Sequence, residues 1–491
     1  MFSTCDHGFE ELNINPNQSE NDPSLDLLFG SILPGFIGQV IGQDGNPVTG
    51  NGGTANFGGE LSQQFANKNS EVGRLSHDEN AFHWVFWFSV YSENGGAMRN
   101  IAFLIEEAAK QENEVYMALG LIYKAFTLGY TTDLFGDVPY IDAGKGFLLE
   151  DQYLFPKFDP QQEIYKAMLN DLETANSLLA SAPSNQLIDS NRDLLFAGDR
   201  MAWRKFANSL RIRILMRMSN VEDVGSRVAE IFNSPDSPVL EGVKDEPSFS
   251  FSFQENWPYS LSNDPNNEKR LSATMVDILN GEGGVNKVAD VRDPRLPVFV
   301  NPTIASIANG SPEYVGQPVG LISDFADDDE RSMLTDYVRE LNTVWLLTYA
   351  DLLLLKAEAV HRGMISGDVT QIFEDGVKAS LDRFGIDLSV SETTDFLASI
   401  KSNFSGNELK HIAIQRWIDN IFQGMEGYAI WRRTDFPILV TGPDATFDET
   451  PTRYSYTSHM LSENGENVNS AVNRAPLNGL NTSFNKVWWD Q

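Results

Sequence analysis

WRKFANSLRIRILMRMS, residues 203–219, sets the fold class: Phe206, Leu210, Ile214 and Met218 recur every four residues, the spacing of one helix face. Arg204, Arg211, Arg213 and Arg217 fall between them and read as solvated flanks of that helix. A second such stretch, LLTYADLLLLKAEAVHRG at 346–363, puts Leu346, Ala350, Leu353, Leu354 and Ala357 on one side. Arg362-Gly363 ends it, and a weaker pattern runs from Val369 to Phe384.

Further helices follow from the same spacing. Phe82, Phe86 and Val90, with Trp84, Trp87 and Tyr91 on a neighbouring stripe, open a run continued by Ile101 to Ala109 and Val115 to Leu128. TTDLFGDVPY then breaks it at Gly136 and Pro139. After Asp159-Pro160, Ile164, Met168, Leu172 and Ala175 mark the partner of 203–218, and a last helix is expected from about Leu409 to Trp431. Helices joined in pairs by short connections form arrays in which each unit buries its face on the next. The chain thus reads as one mainly α unit over residues 1–491, with scaffold at about 78–220 and 342–434. Pro, Gly, Asn and Asp dominate about 221–341, 437–491 and the segment 1–65, which read as loop-rich or irregular.

Charge and composition narrow the function. With 36 Lys and Arg against 69 Asp and Glu, the net charge is −33, which argues against nucleic acid and bare anionic membrane as partners. A single cysteine, Cys5, excludes an internal disulfide framework and a thiolate zinc cluster. The most apolar run, Val344–Val360, carries Asp351, Lys356 and Glu358 and is too short to span a bilayer. Four residues before Cys5 are too few for a signal peptide, so any such signal is expected to have been removed or never to have been there.

Phosphate-cradling glycine loops, an HExxH helix, a GxSxG elbow and an EF-hand loop are absent, so neither a catalytic residue nor a metal or cofactor is expected. Asp327-Asp328-Asp329-Glu330 reads as a solvated loop, since it lacks the spaced ligands and glycine of a calcium loop. Rings offer another chemistry, because a flat apolar face beside polar groups is a surface on which a sugar or peptide side chain stacks. Trp257 and Tyr259, with Asn256, lie in a polar stretch without helical period and are the leading candidates for ligand binding. Trp84 and Trp87 are candidates too, although their helical stripe also suits core packing. Trp488-Trp489 reads as an anchor for the chain end.

Seven phrases in order resemble the SusD/RagB family, in its SusD-like nutrient-binding lipoprotein branch. They are CDHGFEELNINPN, DLFGDVPY, FPKFDPQQEIYKAML, WRKFANSLRIRILMRMS, RDPRLPVF, LLTYADLLLLKAEAVHRG and IAIQRWIDNIFQGMEGYAIWRRTDFP. The resemblance implies tetratricopeptide-like helix pairs carrying an irregular, loop-rich portion. It also implies an outer-membrane lipoprotein facing the cell exterior, which captures oligosaccharide or another nutrient for a SusC-like TonB-dependent transporter. Cys5 then matches the acylated cysteine, the only contact with the membrane, although an unmodified thiol is the plainer state without a signal ahead of it. A peptide receptor and a protein-only helical scaffold for the transporter are the alternatives, and a glycoside hydrolase ranks last.

Overall fold

The structure is a computed structural model, described over residues 24–37, 58–67, 79–92, 96–250, 269–320, 328–442 and 444–491. The major helices are α1 (Leu25–Ile37), α2 (Glu79–Tyr91), α3 (Ala97–Lys110), α4 (Glu114–Phe135), α5 (Gln161–Ser181), α6 (Arg200–Arg217) and α7 (Gly225–Asn233). They continue as α8 (Tyr349–His361), α9 (Val369–Arg383), α10 (Ser391–Phe404), α11 (Glu408–Asp419), α12 (Gly424–Thr434) and α13 (Ser458–Asn473). Neighbours pack in series, α1 on α3, then α3 on α4, α4 on α5, α5 on α6, α6 on α8, and α8 on both α9 and α11. That order is the helix-pair array expected from the spacing of apolar residues.

Local chemistry starts and stops these elements. Asn113, Asp199, Thr348 and Asp368 cap α4, α6, α8 and α9 by accepting backbone N–H groups of the first turn. Beyond α4, Gly136 takes φ +86°, a conformation that favours glycine. Close approach of α9 to α8 is set by Gly376, where a Cβ would lie 2.9 Å from Leu354 Cγ. Most of the core is one apolar cluster running through the array, and a smaller one joins Leu354, Phe373, Leu381, Phe396 and Phe404 of α8 to α10.

Among the described residues, two short antiparallel ribbons brace the array. β1 (Phe65–Asn67) pairs with β3 (Lys269–Leu271), Phe65 opposite Leu271, and β2 (Ser248–Ser250) pairs with β4 (Thr343–Trp345), Ser248 opposite Trp345.

Several expectations change. Arg211, Arg213 and Arg217 are buried rather than decorating α6, because α5 and α8 both pack on that helix and leave it little free face. Two of the charges are met inside, Arg213 Nη2 lying 3.0 Å from Asp351 and Arg217 Nη2 2.6 Å from Glu426, while Arg211 reaches the exposed Glu173 at 3.2 Å. The helix expected over 409–431 is two, α11 and α12, broken where Asn420 turns its amide onto Asp351 at 3.2 Å. Irregular stretches of sequence also hold helices, namely α1, α7, α13 and the short Ala273–Leu279.

Candidate aromatic binding site

α2 is apolar on more than one side, so its rings divide between core and surface. Trp87 points inward, leaving 8 % of its surface exposed, stacked on Phe158 at 5.5 Å and 12° and met edge-on by Phe135. Tyr91 donates its hydroxyl to the Pro139 carbonyl at 2.7 Å, and burial pushes its phenol well above the ordinary value, so it stays a donor. His83 is buried, stacked on Tyr454 at 4.3 Å, with Nδ1 3.1 Å from the Ser455 carbonyl and hydroxyl oxygens. These contacts fix the helix against the body.

Trp84 and Phe88, one turn apart, face the other way. Phe88 is 46 % exposed and its ring centroid lies 5.9 Å from that of the half-buried Trp84. His459, exposed in the first turn of α13, stacks on Trp84 at 4.7 Å and 25°. Thr457 holds that turn by accepting the Met460 N–H, so the imidazole is delivered by a capped helix end. The three rings form a surface platform on two packed helices, with apolar faces and an imidazole able to donate or accept a hydrogen bond.

Of the residues singled out from the sequence, Trp84 reaches this platform and Trp87 belongs to the core beneath it. Cys5, Asn256, Trp257 and Tyr259 lie outside the described residues. Phe88 and His459 were missed. Phe88 sits four residues after Trp84 and was legible as its helical neighbour, whereas His459 is 375 positions away and nothing local announces it.

The strongest concentration of charge lies elsewhere and is internal. Asp351 takes Arg416 Nε at 2.7 Å and Arg213 at 3.0 Å, and Glu426 takes Arg217 at 2.6 Å and Arg416 at 3.3 Å. Burial pushes the Asp351 carboxyl up, but Arg416 and Arg213 outweigh it and hold it at about 2. Beside this network is a cavity of about 30 Å³ lined by Tyr130, Asp133, Tyr165, Arg213, Arg217 and Glu426, room for a water or two rather than a sugar. Every carboxylate of the network is bound to arginine, which makes it a brace. Among the described residues no three His, Cys, Asp or Glu side chains gather as metal ligands, and no helix is long and apolar enough to cross a membrane.

Comparison with known proteins agrees with the fold. A SusD-like family model, described as starch-binding associating with outer membrane, matches residues 37–457. Similar solved structures include a chitin-binding protein (24 % identity, TM-score 0.77, covering 95 % of this chain and 99 % of that one). A SusD homologue from Bacteroides fragilis is 22 % identical with TM-score 0.75, covering 95 % and 99 %. Another from Bacteroides uniformis is 20 % identical with TM-score 0.76, covering 96 % and 100 %. No curated protein matches the chain.

Proposed function

Because this chain belongs to the SusD-like family of starch-binding, outer-membrane-associated proteins, we propose that it is a non-catalytic receptor that holds an oligosaccharide on exposed rings and hands it to a SusC-like TonB-dependent transporter. In this reading the protein is lipid-anchored through Cys5 and faces the cell exterior. The observation that carries the ligand part is the platform of Trp84, Phe88 and His459, where exposed Phe88 and His459 flank the half-buried Trp84 on two packed helices. Sugar rings present a face of C–H groups that stacks on such a surface, while ring nitrogens and neighbouring polar groups take the hydroxyls. A shallow surface of this kind favours modest affinity, which suits a receptor that must release its cargo. Asn256, Trp257 and Tyr259 are proposed as further ligand contacts on the strength of their sequence context.

Isothermal titration against maltooligosaccharides, chitooligosaccharides and a peptide panel tests the proposal, with co-purification of the transporter testing delivery. Saturable binding of an oligosaccharide is the expected result. Binding confined to peptides, or no small ligand beside a stable transporter complex, would transfer the role to the peptide-receptor or scaffold reading.

A further inference from the structure

A single exposed apolar side chain is ordinary on a protein surface, but several on one fixed corner are not. Leu149, Leu154 and Phe155 are 79, 47 and 54 % exposed. They are carried by two helical turns, Gly146–Leu148 and Asp151–Leu154, that close on themselves: the Leu149 N–H donates to the Gly146 carbonyl at 3.0 Å and the Phe155 N–H to that of Asp151 at 2.9 Å. Leu154 lies over the first turn, where a Cβ on Gly146 would sit 3.9 Å from its Cδ2.

Two routes tie this corner to the platform of Trp84, Phe88 and His459. Along the chain, Phe155 comes three residues before Phe158, whose ring stacks on Trp87 at 5.5 Å and meets Tyr456 edge-on at 5.6 Å. Three residues span at most about 11 Å, and Trp87 is the neighbour of Phe88 on α2. Along α13, the Asn467 amide donates to the Phe155 carbonyl at 3.1 Å and to Asn464 Oδ1 at 2.8 Å, and the Asn464 amide donates to the Pro156 carbonyl at 2.8 Å. The same helix lays His459 on Trp84, and the five residues from His459 to the kink at Asn464 rise about 7–8 Å. Between the two ends Glu463, exposed and four residues after His459, sets a carboxylate on the His459 side of the helix.

We propose that the ligand surface continues along α13 from the platform to Leu154 and Phe155, so that a long oligosaccharide is held at both ends and a short one at the platform alone. This rests on the receptor reading and adds the length of the ligand to it. Two shallow contacts bridged by one molecule act together, because the second forms at the high effective concentration that the first provides. The polar stretch between them selects the occupant. A wholly apolar partner laid across both patches would bury Glu463 without a donor, whereas a sugar chain turns C–H faces to the rings and gives hydroxyls to the carboxylate.

The test is calorimetric titration of the full chain, Phe155→Ala and Trp84→Ala with the disaccharide and the hexasaccharide of the maltooligosaccharide and chitooligosaccharide series. The unmodified chain is expected to bind a hexasaccharide about tenfold or more tighter than its disaccharide. Phe155→Ala should lose about 3- to 10-fold for the hexasaccharide and nothing for the disaccharide, while Trp84→Ala weakens both. Its melting temperature should match that of the unmodified chain, since Phe155 is exposed. Equal affinity for the two lengths overturns the inference, as does a Phe155→Ala variant that keeps the hexasaccharide while Trp84→Ala loses it, a result that leaves the receptor reading standing. Silence toward every sugar removes both readings together. Self-association in sedimentation that Phe155→Ala abolishes also overturns the inference, since the corner would then belong to a second copy.

Discussion

Glu358→Gln should cost about 3 kcal/mol at neutral pH, and the loss should fade in acid. Glu358 in α8 receives Arg433 through both oxygens, Nη1 at 2.7 Å and Nη2 at 2.5 Å, with Arg362 Nε at 2.9 Å. Both Glu358 and Arg433 are buried. Burial pushes the carboxyl up, but Arg433 and then Arg362 outweigh it and hold it at about 2, against an ordinary 4.5. A depression of that size corresponds to about 3 kcal/mol through linkage. Removing one partner of a buried pair gives roughly 3–5 kcal/mol by a separate route. Since the folded value is the lower one, this stability is present above the unfolded value and disappears as pH falls toward about 2. Urea unfolding of both proteins between about pH 7 and about pH 3 should show the gap shrink to roughly half or less. A gap constant across that range would refute the electrostatic reasoning and leave lost packing as the cause.

Two further substitutions probe the scaffold. Trp489→Ala should lower stability by roughly 3–5 kcal/mol in denaturant unfolding, since the ring is fully buried, donates Nε1 to Asp133 at 3.0 Å and lies under Arg432 at 4.7 Å; a change below about 1 kcal/mol would show the tail to be dispensable. Glu246 accepts the Tyr349 N–H at 2.8 Å, and burial pushes its carboxyl up to about 7 despite the opposing pull of Arg383. An acid raised in the folded state stabilises below its unfolded value and loses that contribution as pH rises, so the unmodified protein should lose about 2 kcal/mol between about pH 5 and about pH 8 that Glu246→Gln retains. Parallel pH profiles would contradict this.

What sequence could convey follows from the range of each interaction. The repeat of Phe206, Leu210, Ile214 and Met218 is local, and helix α6 forms where it predicts. Whether Arg213 faces water or Asp351 depends on which helix covers it, 138 positions away, so charge alone misplaces it. α13 eluded the spacing rule because SHMLSENGENVNSAVN is mostly polar and kinks at Asn464, whose amide donates to the Pro156 carbonyl at 2.8 Å. The same limit applies to the platform. Trp84 and Phe88 share a helical face that the sequence carries, but which face looks outward is decided by Phe158, Phe135 and Tyr454 packing beneath.

The central claim is that rings on this surface hold sugar, and titration calorimetry of the unmodified chain, Trp84→Ala and Phe88→Ala with the best oligosaccharide of the panel tests it most directly. Loss of one stacking partner should weaken binding roughly 5- to 30-fold, about 1–2 kcal/mol, in each variant, while the melting temperature of Phe88→Ala stays near that of the unmodified chain because Phe88 is exposed. Undiminished affinity in both variants would contradict the account and remove the α2–α13 platform from the binding surface.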